Sequence, residues 1–297
     1  MNHSFRHKPV LLKESIKFLK IKKGKKYIDA TLGGGGHTKK ILELGGNVLG
    51  IDRDPEAIKR IENELSNYIK EGKLILSRGN FENLEDIAME NKFNQVSGII
   101  FDLGMSSDQF ESNRGFSFMK DEPLDMRMDP DLGVTAADLI NALSPSELYG
   151  LFVRLAQVER ARDITAAIVN RRKSGQIRTT KELVEIIESV PVHRRQKDLH
   201  PATKIFMALR IAVNNETENL ERALPQAARL LEPGGRLAVI SFHQGEDRIA
   251  KQFFRLYRFQ VKPGMTEVNK KPIMASEKEV EFNPRSRSAR LRIGEKI

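Results

Sequence analysis

Four consecutive glycines near the start of this chain constrain its fold more than any other segment. The stretch Lys26-Tyr27-Ile28-Asp29-Ala30-Thr31-Leu32 reads as a buried strand that runs into Gly33-Gly34-Gly35-Gly36 and then into a helix. A second apolar strand ends on Asp52, about 20 residues after the first glycine, the distance at which an open α/β sheet places an acid for ribose hydroxyls. Glycines let the backbone approach a ligand closely, and the carboxylate accepts hydrogen bonds. The segment therefore predicts an α/β sheet that binds an adenosine.

The glycine spacing argues against a dinucleotide. That fingerprint requires Gly-x-Gly-x-x-Gly, but its sixth position is Thr38 when counted from Gly33 and Lys39 when counted from Gly34. No Gly-Lys-Ser/Thr phosphate loop occurs in the sequence. The pattern favours an adenosine without a pyrophosphate, for which S-adenosylmethionine is the main candidate. A tight turn between strand and helix with no ligand is the alternative.

Charge and composition limit the class of protein further. The 297 residues have a formal net charge of +10 and contain no cysteine. The positive charge indicates a polyanionic partner, although a generally lysine-rich proteome is the alternative explanation. The absence of cysteine excludes disulfides, cysteine-ligated zinc and thiol nucleophiles. The sequence shows neither a signal-peptide pattern nor an apolar run of about 18 residues, so we expect a cytoplasmic protein with no membrane partner.

Alternation of helix and strand predicts the fold class. Strand patterns at about 27–32, 48–52, 73–77 and 97–102 alternate with helical patterns at about 38–44, 55–70 and 82–91, which is typical of a doubly wound, mostly parallel sheet. After residue 103 the pattern is helical for over a hundred residues, until a strand at 236–242 and a final strand pair ending at 289–293. We therefore predict a sheet domain formed by residues 1–107 and 211–297, interrupted by an all-helical domain at 108–210.

Polar residues follow three of the predicted strands. The first strand is followed by the glycine loop with His37 and Thr38. The fourth is followed by the segment from Asp102 to Ser107, and the fifth by His243 with Glu246 and Asp247. Each alone is compatible with a capped turn. Because ligands in open α/β sheets lie beyond the carboxyl ends of the strands, three such segments together predict a site.

Motifs along nearly the whole chain resemble those of the bacterial 16S ribosomal RNA (cytosine-N4)-methyltransferases. The matching segments are His7-Lys8-Pro9-Val10-Leu11, Gly35-Gly36-His37, Ile51-Asp52-Arg53-Asp54-Pro55, Asp102-Leu103-Gly104-Met105-Ser106-Ser107, Arg114-Gly115-Phe116-Ser117-Phe118, Leu124-Asp125-Met126-Arg127-Met128-Asp129, His200-Pro201-Ala202-Thr203, Pro233-Gly234-Gly235-Arg236-Leu237, Ser241-Phe242-His243 and Asn283-Pro284-Arg285. The resemblance implies a Rossmann-like class I methyltransferase fold and S-adenosylmethionine as cofactor. It also implies methyl transfer to the N4 amine of a cytidine in 16S ribosomal RNA of the small ribosomal subunit.

The same resemblance implies a set of site residues. The cofactor residues would be Gly35, Gly36, His37, Asp52, Phe81, Asp102 and Gln109. Asp102 and Ser106 would position the target amine, and no metal is expected. For His37 the alternative is an ordinary polar residue in the first turn of a helix. Two departures from the family pattern, Asp108 before the glutamine and Gln244-Gly245 after the Ser-Phe-His segment, affect the expected substrate side more than the cofactor side.

Contacts to RNA have several candidates in the sequence. Phe116 and Phe118 would stack on bases, or else pack the helical domain onto the sheet domain. Two basic clusters would contact phosphates or would simply be solvated: the segment His193-Arg194-Arg195-Gln196-Lys197, and the arginines Arg285, Arg287, Arg290 and Arg292. The oligomeric state stays open, with a homodimer among the alternatives.

Three other functions remain as alternatives at this point. A methyltransferase acting on DNA or on a small-molecule amine would share the fold. A nicotinamide-dependent dehydrogenase is disfavoured by the broken glycine fingerprint. An RNA-binding assembly factor without turnover would have no need of the acids at the strand ends.

Overall fold

The computed structural model describes residues 8–191, 200–259 and 264–297 of the chain. Its backbone contacts divide it into two compact units, one formed by Met1–Ser107 with Thr217–Ile297 and the other by Asp108–Glu216. The second unit is thus one continuous segment that separates the two halves of the first in the sequence.

A single mixed sheet organises the first unit. In the described part of the chain its strands are β1 (Lys26–Asp29), β2 (Asn47–Asp52), β3 (Leu74–Arg78), β4 (Val96–Asp102), β5 (Leu231–Ser241), β6 (Met265–Glu267), β7 (Ile273–Met274) and β8 (Arg290–Lys296). They lie in the order β3-β2-β1-β4-β5-β8-β6, and β7 also pairs with β8. The strands β1 to β5 are parallel to their neighbours, whereas β8 is antiparallel to β5. The predicted doubly wound, mostly parallel sheet is confirmed.

The helices follow the predicted alternation. They are α1 (Leu12–Leu19), α2 (Gly36–Glu43), α3 (Pro55–Glu64), α4 (Ser66–Lys70), α5 (Leu84–Glu90), α6 (Ser107–Glu111), α7 (Ala136–Ala142), α8 (Pro145–Ala156), α9 (Ala161–Arg171), α10 (Thr180–Ser189), α11 (Pro201–Val213), α12 (Glu216–Leu230), α13 (Gln244–Phe259) and α14 (Glu277–Phe282). The helix expected at 55–70 is divided at Leu65 into α3 and α4.

Local sequence signals set several helix ends. The side chain of Asp54 accepts a hydrogen bond from the backbone N–H of Glu56, and Pro55 occupies the first position of α3. The helices α8 and α10 begin with reciprocal hydrogen bonds between an N-cap hydroxyl and a glutamate three residues later. Each of these helices therefore begins at a residue whose side chain caps it.

Apolar clusters lie on both faces of the sheet of the first unit. One cluster joins β1, β2, β4 and β5 to α5, α12 and α13. The others cover the opposite side with α1, α2 and α3 and include the fully buried side chains of Tyr27, Ile41 and Leu11. Burial on both faces explains why these parallel strands read as continuous apolar runs.

The beginning of β5 differs from the sequence-based expectation. The sequence pattern predicts this strand only from residue 236, whereas β5 begins at Leu231. The helix does end at Leu230, but Leu231 already pairs with Val96, and the next pair is Arg236 with Gly98. Four residues of β5 therefore bulge opposite one residue of β4, and Gly234 permits this bulge with a φ of +78°.

The described part of the second unit consists of helices and irregular segments, with one isolated bridge between Pro123 and Thr179 and no named strand. Helix α11 packs against α7, α8 and α10, and α9 packs against α8 and α10. Its buried side chains include Leu148, Phe152, Ile164, Leu183 and Leu209. The role of this unit as a domain for substrate recognition, with boundaries at 108 and 210, stays a prediction.

None of the helices in the described ranges has both the length and the apolar character needed to cross a bilayer.

Candidate cofactor and methyl-transfer site

Three aspartates end three neighbouring parallel strands. Asp29 is the last residue of β1, Asp52 of β2 and Asp102 of β4. Because the order of strands reverses between β1 and β4, the carboxyl end of the sheet forms a crevice at this point, where ligands of doubly wound folds bind. The first unit alone thus assembles an acidic crevice.

The glycine loop is held by hydrogen bonds to Asp52. Its Oδ2 accepts the backbone N–H of Gly33 at 2.8 Å, and its Oδ1 accepts that of Asp54 at 2.9 Å. The carbonyl oxygen of Gly33 accepts a hydrogen bond from the guanidinium of Arg60 at 2.8 Å. Each carboxylate oxygen has a second lone pair, so Asp52 can also accept two ligand hydroxyls.

Gly35 is the loop residue that a side chain would disturb most. Its φ is +70°, and a Cβ added to it would lie 2.5 Å from Cδ1 of the buried Ile61. We expect Gly35→Ala to lower stability by roughly 1–3 kcal/mol. We also expect it to weaken binding of S-adenosylhomocysteine in calorimetry, because the loop has to move away from Ile61.

Gly72→Ala is the matched control for this substitution. Gly72 has a φ of +68° but no atom within 4 Å of an added Cβ, and it lies before β3, at the other end of the sheet. It should reproduce only the backbone strain and leave affinity unchanged. Equal effects of the two variants on affinity would contradict a ligand-binding role of the loop.

Asp29 connects the end of β1 to the loop after it and to α2. Its side chain is buried, and it accepts hydrogen bonds from Thr38 Oγ1 at 2.7 Å and from the backbone N–H of Thr31 at 3.3 Å. Burial raises the pKa of Asp29 to about 6, against the effect of these hydrogen bonds. Thr31 Oγ1 in turn accepts the backbone N–H of Asp102 at 2.6 Å, which ties the end of β4 to the loop after β1.

Asp102 is the most perturbed group of the crevice. Its side chain is 13% exposed, and its Oδ2 lies 3.6 Å from Nδ1 of His37, in the first turn of α2. Its Oδ1 is buried and accepts no hydrogen bond from the described residues. Burial, followed by the negative charges of Asp29 and Glu246, raises the pKa of Asp102 to about 8. Such a carboxylate is a candidate functional group, because no hydrogen bond to Oδ1 from the described residues offsets the free-energy cost of burying it.

The segment after β5 adds a second acid to this region. Glu246, in the first turn of α13, is buried and accepts backbone N–H groups of Phe242 at 2.8 Å and His243 at 3.3 Å. Its Oε1 lies 3.2 Å from Nε2 of His243. The ring of Phe242 packs on Gly104, where an added Cβ would lie 2.8 Å away. His37 thus lies beside Asp102, and the charges of Asp29 and Glu246 act on it.

Two further predicted residues lie in the first unit. Phe81 follows β3 and packs its ring edge-on against Phe101, with 5.6 Å between the ring centres. Ser106 is buried in the segment after β4. Gln109 is buried in α6 and belongs to the second unit.

The aromatic residues proposed for RNA are not freely exposed. Phe116 is only 6% exposed, and Phe118 stacks on His200 with 4.9 Å between ring centres and contacts Phe206 edge-on. Packing within the second unit thus accounts for the ring of Phe118, and the guanidinium of Arg114 lies 5.7 Å from the centre of the Phe116 ring. The basic cluster at 193–197 lies outside the described residues.

The chain before α1 contributes a support that the sequence motifs did not reveal. A Cβ added to Gly36 would lie 2.6 Å from the ring of Pro9, so the proline packs directly against the glycine loop. Leu11 has a φ of +52° and donates its backbone N–H to Glu279 of α14 at 2.7 Å. Asn283 donates to the carbonyl of Lys8 at 3.1 Å. Pro9, Gly36 and Asn283 belong to three separate sequence motifs, and no local pattern relates those motifs in space.

The side chains around the crevice are of the kinds that bind a ribose and a positive charge. Asp52 offers acceptors for a ribose diol, and Phe81 offers an apolar ring after β3. The uncompensated Oδ1 of Asp102 favours a cation or a hydrogen-bond donor. A sulfonium group with an adenosine satisfies all of these features.

Comparisons with known proteins show which family and which proteins this chain resembles. The model of a family described as the MraW methylase family matches residues 4–297. The chain is 44% identical to a ribosomal RNA small subunit methyltransferase H from Thermomicrobium roseum, over 98% of this chain and 94% of that protein. It is 43% identical to the protein of the same name from Halothermothrix orenii, over 98% of each. Among solved structures, an rRNA methylase from Streptococcus thermophilus matches with a TM-score of 0.46 and 13% identity, over 96% of this chain and 95% of that one.

Proposed function

This chain belongs to the MraW methylase family, and we propose that it transfers a methyl group from S-adenosylmethionine to the N4 amine of a cytidine in 16S ribosomal RNA. The names of its relatives support ribosomal RNA of the small subunit as the substrate. The choice of the N4 atom rests on the motif resemblance and on the chemistry of Asp102. The buried carboxylate of Asp102, with one oxygen left open, is the observation that carries the proposal.

The cofactor is S-adenosylmethionine, which supplies an electrophilic methyl group when it is bound. In our proposal Asp52 accepts the ribose hydroxyls, while Gly35 and Gly36, packed on Ile61 and Pro9, hold the loop so that its backbone contacts the ligand. Phe81 contacts the adenine. His37, beside Asp102, and Gln109 complete the cofactor set. The protein's contribution is orientation and electrostatics rather than covalent chemistry.

Asp102 is placed to overcome the weak nucleophilicity of the target amine. The nitrogen lone pair of cytosine N4 is delocalised into the ring, and a hydrogen bond from the amine to Oδ1 of Asp102 would help to localise it. Ser106 would orient the same amine. Because the pKa of Asp102 is about 8, its carboxylate can also hold the proton that the amine loses after transfer.

The second unit is proposed to recognise the substrate. A target cytidine has to be unpaired or unstacked before it can reach a crevice of this kind, and a separate unit can hold the flanking RNA. We expect the reaction to occur in the cytoplasm on the small ribosomal subunit. A homodimer remains a proposal for solution measurements.

Methyl transfer from labelled S-adenosylmethionine to small ribosomal subunits tests the proposal. After nuclease digestion, chromatography of the nucleosides should place the label in N4-methylcytidine. Label in any other nucleoside would overturn the assigned atom. Tight cofactor binding without transfer to RNA would instead favour the alternative of a binding protein without turnover.

A further inference from the structure

The positive charge of this chain is concentrated in one segment. The whole sequence has a formal net charge of +10, and residues 8–40 contain ten lysines but only two acids, Glu14 and Asp29. Since Asp29 is buried in the crevice, it does not compensate lysines on the surface. The charge excess that predicts a polyanionic partner therefore lies mainly around α1 and the ends of its neighbouring elements.

Helix α1 presents lysines along one exposed face. Lys13, Lys17 and Lys20 are four and three residues apart, so they share a face, and all three are exposed. Lys22 and Lys23 continue this row in the turn before β1 and are also exposed. We call these five residues the lysine stripe. Among the described residues, no acid forms an ion pair with Lys13, Lys20 or Lys22.

The stripe runs from the cofactor site towards the opposite end of the sheet. Just before α1, Pro9 packs on Gly36 of the glycine loop. At the end of α1, Leu19 contacts β4 near Gly98, where an added Cβ would lie 3.1 Å from it. Between Lys13 and Lys20 the helix rises by about 10 Å. A nucleic-acid strand leaving the crevice would meet successive cations along this path.

The C-terminal arginines, which the sequence predicts as a basic cluster, are partly used within the protein. Arg292 is buried and donates two hydrogen bonds to Asp247, at 2.7 and 3.2 Å. Arg290 contacts the same carboxylate at 3.4 Å. Two of the four C-terminal arginines thus fix α13 to β8 and have little capacity left for phosphates.

We infer that the lysine stripe binds the phosphate backbone of the ribosomal RNA next to the target nucleotide. The inference rests on the proposed function and adds to it the surface that holds the RNA. Lysine ammonium groups act as point charges on flexible stems, so they bind phosphates without reading the sequence. The stripe therefore contributes affinity and fixes the position of the RNA strand on the protein. Other parts of the protein select the base.

The test replaces three stripe residues together, as Lys13→Gln, Lys20→Gln and Lys22→Gln. Binding to purified small ribosomal subunits is measured over a range of salt concentrations. Loss of three phosphate contacts should reduce the slope of log K against log salt by about two to three, and weaken binding by at least about tenfold near 0.1 M salt. Affinity for S-adenosylhomocysteine and the melting temperature should not change.

The control carries the same change of charge on three exposed lysines outside the stripe, as Lys70→Gln, Lys251→Gln and Lys278→Gln. It should keep most of the affinity and the wild-type salt slope. An unchanged slope in the stripe variant, or an equal loss in the control, would overturn the inference. The binding measurement does not depend on turnover. Wild-type protein that binds subunits through the stripe but transfers no methyl group would therefore overturn only the proposed reaction.

Discussion

Asp102→Asn is expected to lower methyl transfer by about 10²–10³-fold, the usual cost of removing one electrostatic group from an active site. Asparagine keeps the shape and one acceptor oxygen but loses the charge that would draw the amine protons. The same substitution should stabilise the protein at neutral pH, because Asp102 is buried and its Oδ1 accepts no hydrogen bond in the described structure. A gain on the order of 1–3 kcal/mol is expected for relieving such a group. Activity and stability should therefore change in opposite directions.

The pH dependence of that stability difference follows from the raised pKa of Asp102. The folded protein binds the Asp102 proton more tightly than the unfolded chain, since the pKa is about 8 in the fold and 3.8 for the free side chain. The contribution of this carboxyl to wild-type stability thus decreases as the pH rises from about 4 to about 8. Melting curves of Asp102→Asn and wild type should be similar near pH 4 and diverge towards pH 8.

The exposed Asp86→Asn provides the control for both measurements and should alter neither activity nor the pH profile. Binding of S-adenosylhomocysteine separates catalysis from cofactor affinity, because Asp102 also belongs to the proposed cofactor set. An unchanged rate for Asp102→Asn would remove this residue from the mechanism. A stability difference that is constant between pH 4 and pH 8 would contradict the raised pKa of this buried carboxyl.

The parts of the fold that could be predicted are those with strong local signals. Apolar runs marked the parallel strands because both faces of the sheet are covered, and the capping boxes marked the starts of α8 and α10. The aspartates at the strand ends were also visible, since a polar residue directly after a buried strand interrupts the pattern. These aspartates lie close together because β2, β1 and β4 are neighbours in the sheet, and the sequence alone does not give that order of strands.

Contacts between distant segments were beyond the reach of the sequence. The hydrogen bond of Glu279 to Leu11 joins residues 268 positions apart, and no local pattern relates them. Arg292, which the sequence offered as a candidate contact to RNA, likewise donates to Asp247 inside the protein. The bulge at the start of β5 was missed because Pro233-Gly234-Gly235 is a turn signal in any local interpretation, and only pairing of Leu231 with β4 makes it part of a strand.

Asp52→Asn is expected to weaken binding of S-adenosylhomocysteine by about 10²-fold or more, since hydrogen bonds to a charged group are each worth roughly 1.5–3 kcal/mol. The carboxylate already accepts the N–H groups of Gly33 and Asp54, so an asparagine would have to offer its NH₂ group to one of these donors. The ribose would lose an acceptor, and the glycine loop would lose its anchor. Calorimetric titration measures the affinity directly and requires no RNA substrate.

An analogue that lacks the 2′-hydroxyl separates the contact to ribose from the support of the loop. If Asp52 binds the diol, wild type should lose much of its affinity for this analogue, whereas Asp52→Asn should lose little more than it already has, because the two changes remove the same hydrogen bond. Glu56→Gln, an exposed neighbour in the first turn of α3, should bind like wild type. Fully additive losses would show that Asp52 acts only on the loop, and the ribose would then need another acceptor in the crevice.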